Sequence, residues 1–144
     1  MKKTILIVDD DASVRESVEK VLRSAGYETL LTAGGADAIT RFPIGSIDLV
    51  VMDIGLPNRD GWESCKQVVR VHSNVPIIVI TGHAGQFTTA LGAGASACME
   101  KPFDAQELLQ TVQELLAPKE VAAPAPSAKG ISGASRRVSA ASPL

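Results

Sequence analysis

Along residues 4–100, short apolar runs alternate with stretches whose apolar positions recur at helical spacing. The strand-like runs are TILIV (4–8), ETLLT (28–32), IDLVVM (47–52), PIIVI (76–80) and SACME (96–100). Between and after them, Val14, Val18, Val21 and Leu22 share one helical face. So do Trp62, Cys65 and Val69, and then Leu108, Leu109, Val112, Leu115 and Leu116. Gly26, Pro43, Pro57, Asp60-Gly61 and Pro76 mark the boundaries. The first, third and fourth runs are continuously apolar, as strands are when helices cover both faces. Five strand–helix alternations predict an α/β domain with an open, doubly wound parallel sheet, since a closed barrel needs eight. Right-handed crossovers then place helices on both faces. In such sheets ligands sit beyond the carboxyl ends of the strands.

Beyond Pro118 the pattern stops. The stretch KEVAAPAPSAKGISGASRRVSAASPL has no periodic apolar face, so burial cannot offset the entropy of ordering it. The expected division is a folded domain at 1–117 and a disordered Ala/Pro/Ser-rich tail at 118–144. RRVS in the tail matches a basophilic kinase pattern, but a four-residue match is common by chance.

Composition narrows the function classes. At 45% hydrophobic and 21% charged, the chain reads as an ordinary globular protein. No apolar run approaches the roughly 20 residues of a membrane span. The N-terminal apolar stretch also falls short of the about 7–15 residues of a signal-peptide core. A cytoplasmic location without membrane contact is expected, with Cys65 and Cys98 reduced. Through Leu116, 10 basic against 15 acidic residues give −5; the remainder, 4 basic against 1 acidic, gives +3. An acidic domain argues against nucleic-acid binding by that domain.

The strand ends carry the chemistry. Strand one ends in Asp9-Asp10-Asp11, strand three in Asp53, strand four in Thr81, and Lys101 follows strand five. A lone acid after a strand is usually a cap or turn residue, and a lone lysine a surface group. Polar groups at four strand ends in one layer are harder to assign that way. Carboxylates crowded together need a cation to ionise, and Mg²⁺ binds through a few carboxylates, waters and phosphate oxygens. One carboxylate can then attack phosphorus, while an ammonium and a hydroxyl neutralise the phosphoryl oxygens. Asp11 is better read as serving the helix that carries Val14 and Val18, where negative charge suits the N-terminus. Ser13 with Glu16 offers an alternative capping box.

Taken in order, ILIVDDD, DLVVMDIGLPNRDG, IIVITGHA and GAGASACMEKPF resemble the receiver domain of two-component response regulators over residues 2–117. The resemblance implies a flavodoxin-like (βα)5 fold, a five-stranded parallel sheet in the order 2-1-3-4-5. It implies a single-domain phosphoacceptor module, with Asp53 taking a phosphoryl group from a sensor histidine kinase or histidine phosphotransfer protein. Mg²⁺ or Mn²⁺ would be held by Asp10 directly, Asp9 largely through water, Asp53 and the backbone carbonyl of Gly55. Thr81 would bond the phosphoryl oxygen, Lys101 would pair with it, and the Lys101–Pro102 bond would be cis. The module would change its contacts with a downstream protein, catalysing only its own phosphorylation and dephosphorylation. His72 and His83 read as structural or solvent-facing, although the resemblance places His83 near the crevice. Cys65 reads as core.

Two departures from the family pattern stand out. Cys98 occupies the position three before Lys101, where the family carries Tyr or Phe. The stretch from Thr81 to Lys101 is about two residues short and carries Gly85, Gly92 and Gly94, which weaken a helix by about 1 kcal/mol each in its interior. A short helix is expected there. Two rival readings exist. One is a receiver-like scaffold that binds without being phosphorylated. The other is a haloacid-dehalogenase-like phosphatase using Asp9 and Asp11, but the acids on or near the last helix after Lys101 are only Asp104, Glu107 and Glu114, and Asp53 would have no purpose.

Overall fold

The structure is a computed structural model, and it describes residues 2–34, 38, 40–43, 45–55, 59–117 and 135–137. The elements are β1 (Thr4–Val8), α1 (Ala12–Ser24), β2 (Glu28–Thr32), β3 (Leu49–Gly55), α2 (Arg59–Val71), β4 (Ile77–Thr81), α3 (Phe87–Gly92), β5 (Ala97–Glu100), α4 (Ala105–Leu116) and β6 (Ser135–Arg137). Five parallel strands lie in the order β2-β1-β3-β4-β5, as expected, and β6 adds an antiparallel strand beside β5. The strand β6 falls in the stretch whose composition predicts disorder. What admits it is the open edge of β5, whose unpaired backbone groups accept any extended segment regardless of side-chain pattern. The rest of 118–144 lies outside the described residues.

The alternation within each strand divides the core in two. Ile5, Ile7, Leu49, Val51, Ile78, Ile80 and Met99 meet Val18 and Leu22 of α1 and Leu108 and Val112 of α4. Leu6, Val8, Val50, Met52, Ile77, Val79 and Cys98 meet Trp62, Cys65 and Val68 of α2 and Ala90 of α3 on the other face. Full burial of each Leu, Ile or Val contributes about 1.5–3 kcal/mol, so both helix layers are anchored by the same strands.

Two boundaries differ from the sequence pattern. The third strand starts at Leu49 and runs to Gly55, past the apolar run at 47–52. Asp48 precedes the ladder with its carboxylate accepting from the Thr4 N–H at 2.8 Å, while pairing with β4 carries Asp53 and Gly55 into the sheet. Asp60-Gly61, which reads as a turn, instead lies in the first turn of α2. Pro57, predicted to sit in that turn, lies outside the described residues.

Candidate functional site

Each expected site residue sits at or just beyond the carboxyl end of β1, β3, β4 or β5. On β3, the register with β4 slips between Asp53 and Gly55: Asp53 pairs with Ile80 and Gly55 with Thr81, leaving Ile54 out of step. Such a bulge re-aims the side chains beside it. The Asp53 carboxylate is 5% exposed and forms an ion pair with the Lys101 ammonium. Lys101 reaches it from the end of β5, where its N–H donates to the Thr81 carbonyl at 2.8 Å and the Lys101–Pro102 bond is cis. Burial alone would lower the Lys101 pKa, but the Asp53 carboxylate, with Asp9 and Asp11 beyond it, raises it above the ordinary value.

Asp9, directly after β1, is 4% exposed. Its pKa rises from 3.8 to about 6, chiefly because burial penalises the charge. The Asp11 N–H, which donates to it at 2.9 Å, works against that shift, and the neighbouring Asp53 carboxylate adds to it by charge and by a side-chain hydrogen bond. Asp10 is exposed at the rim, and with Asp53 it lines a hollow of about 140 Å³ floored by Val8 and Met52. Among the described residues no three His, Cys, Asp or Glu side chains converge on one point. The oxygens that could hold a cation are those of the apposed Asp9 and Asp53 carboxylates, with Asp10 at the rim and the end of β3 at Gly55 nearby. Oxygen-only ligands with room for water suit Mg²⁺ rather than a softer metal.

Thr81 is fully buried, and its Oγ1 accepts from the His83 N–H at 3.1 Å. That bond leaves the hydroxyl's own proton for another acceptor. His83 therefore enters the site through its backbone, with an exposed side chain. Asp11 is the cap of α1: its carboxylate accepts from Ser13 and Val14 N–H at 2.9 and 3.3 Å, which settles the choice against Ser13.

Two contributors escaped the sequence pattern. The Arg15 guanidinium donates to the Asp9 carbonyl at 2.6 Å, tying the first turn of α1 to the end of β1. The Glu100 carboxylate accepts from the Gly85 N–H at 3.3 Å and holds the loop after Thr81. Both bond to backbone, which leaves no trace in residue periodicity. Away from the site, His72 is buried with Nε2 3.3 Å from the Ala38 carbonyl. Burial first of all pushes the Cys65 and Cys98 thiols up to about 11, so neither serves as a nucleophile near neutral pH. A larger cavity of about 270 Å³ lies at the opposite end of the sheet, between Gly45 and Val75, away from these carboxylates.

Comparisons with known proteins show the family and the fold. Residues 5–113 match the response regulator receiver domain model. A probable transcriptional regulator of Cyanophora paradoxa is 38% identical over 117 residues, 80% of this chain and 48% of its own length. The alkaline phosphatase synthesis transcriptional regulatory protein of Bacillus subtilis is 34% identical over 131 residues, 90% of this chain and 55% of its own. The chain thus spans about half the length of these curated relatives. Among solved structures, a putative response regulator from Chloroflexus aurantiacus is 37% identical with a TM-score of 0.73, matching 82% of this chain and 100% of its own. A chemotaxis response regulator of Vibrio cholerae is 29% identical with a TM-score of 0.70, over 81% and 100%. With five parallel strands in the receiver order and a family match over most of its length, this chain belongs to the response regulator receiver family.

Proposed function

We propose that the chain is a phosphoacceptor signalling module in which Asp53 takes a phosphoryl group from a phosphohistidine partner. The observation that carries this reading is the ion pair between the buried Asp53 carboxylate and the half-buried Lys101, beside Asp9 at the strand ends. An Asp53 oxygen attacks phosphorus as the P–N bond to the donor imidazole breaks, giving an acyl phosphate and a histidine that regains a proton from water. Lys101 exchanges its bond to the Asp53 carboxylate for one to a phosphoryl oxygen, and the Thr81 hydroxyl donates to another. Asp9, Asp10, Asp53 and the Gly55 carbonyl would hold Mg²⁺ or Mn²⁺, which supplies positive charge against the crowded oxygens. Hydrolysis of the acyl phosphate resets the module, so its chemistry is confined to its own side chain.

The donor is a sensor histidine kinase or a histidine phosphotransfer protein, and the output is altered binding to a protein. No helix among the described residues is long and apolar enough to cross a membrane. The test is incubation with Mg²⁺ and acetyl phosphate or phosphoramidate, followed by intact mass. A single phosphoryl adduct that disappears in Asp53→Asn is expected. An adduct that persists in Asp53→Asn but is lost in Asp9→Asn would move the nucleophile to β1. No adduct with any donor would favour a scaffold that acts without phosphorylation.

A further inference from the structure

The strand β5 is short and apolar, with Ala97, Cys98 and Met99 each no more than 3% exposed. Apart from its four-residue length and the Glu100 at its end, it carries no device that protects a sheet edge: no proline, no charge within Ala97–Met99 and no bulge against β4. Its outer side pairs with β6. Ser135, Arg136 and Arg137 run antiparallel to it, with Ala97 opposite Arg137, Cys98 opposite Arg136 and Met99 opposite Ser135. The opposite edge, β2, opens with exposed Glu28.

We propose that the outer edge of β5 is a strand-addition surface whose resident occupant is residues 135–137 of the same chain. Main-chain hydrogen bonds supply the attraction in strand addition, so an extended segment poor in apolar residues can take the place. The tether supplies the rest. A segment of the same chain meets its site intramolecularly, at an effective concentration that reaches about the millimolar range, well above that of a second copy in dilute solution. The tail therefore holds the edge closed to pairing between copies, and a protein that docks on this edge has to displace it.

Proline scanning of the full chain tests this, read by residue-resolved amide exchange. Successive N–H groups of a strand point to opposite sides. Proline at Arg136 therefore falls in one class, and proline at Ser135 or Arg137 in the other. In the unmodified chain the Ala97, Cys98 and Met99 amides are all expected to exchange slowly, since alternate ones face β4 and β6. One proline class, and not the other, should speed exchange of the amides facing β6 by about ten-fold or more, with unchanged Trp62 fluorescence and melting temperature. Alternating fast and slow amides along β5 in the unmodified chain would show an open edge and overturn the proposal. So would identical effects of all three prolines. Protection that grows with protein concentration alongside a dimer in light scattering would place a second copy on the edge, and would overturn occupation by the same chain.

Discussion

The three consecutive acids after β1 have three different environments. Asp11 caps α1 through bonds to Ser13 and Val14 N–H, and losing such a cap costs about 1 kcal/mol. Asp11→Ala should therefore lower the urea-unfolding free energy by that amount while leaving the acetyl phosphate adduct intact. Asp9 behaves otherwise because its pKa is raised to about 6. The folded chain holds that proton more tightly than the unfolded chain does, so folding is favoured while Asp9 is protonated. That contribution is lost as pH rises from 3.8 through about 6. A cation held there, as proposed, would replace the proton. The rise in melting temperature on adding Mg²⁺ should therefore be larger at about pH 7.5 than at about pH 5, as differential scanning calorimetry would show. Asp9→Asn should flatten both the pH dependence and the Mg²⁺ response. Asp53→Asn should move the Asp9 transition toward lower pH, because it removes the charge and hydrogen bond that add to the burial penalty.

At the scale of elements, the sharpest constraint lies where α3 turns into β5. Gly94 has φ +98°, and a Cβ there would stand 2.9 Å from Cγ1 of Val69 on α2. Gly92, at the end of α3, has nothing within 4 Å of a built Cβ and no positive φ. Gly94→Ala should then cost about 1–2 kcal/mol, while Gly92→Ala should stabilise by up to about 1 kcal/mol; chemical denaturation of the two variants distinguishes them. The brevity of α3 was legible from its glycines, as were the first two strands, whose periodicity and boundaries agree. The sequence pattern misread two features fixed by strand pairing, the extension of β3 through Asp53 and β6, and placed a turn at Asp60-Gly61 where α2 has already started at Arg59. Both strands depend on a partner strand, which hydropathy does not record. The same holds for the site. The residues at the strand ends stood out by chemistry and order, whereas Arg15 and Glu100, acting on a carbonyl and an amide, did not. Cys98, where the resemblance leads one to expect an aromatic ring, packs into the α2–α3 face with Trp62 and Cys65.

Over the whole molecule, both core faces are built on alternate residues of the same five strands. Neither helix layer can lose its support without exposing the other, so the described domain should unfold as one unit. Trp62 makes this measurable: it is the single tryptophan of the chain, 8% exposed on the α2 face, while far-ultraviolet circular dichroism reports all helices. Their urea midpoints and slopes should coincide. The candidate site joins the faces further, since Asp53 sits on β3, Lys101 follows β5 and Asp9 leads into α1. Mg²⁺ bound there should consequently shift both signals together, by the same RT ln(1 + [Mg²⁺]/Kd). If Trp62 emission moved with Mg²⁺ while the dichroism midpoint stayed, the α2 layer would be responding alone, and the sheet would not be the shared support that its burial pattern describes.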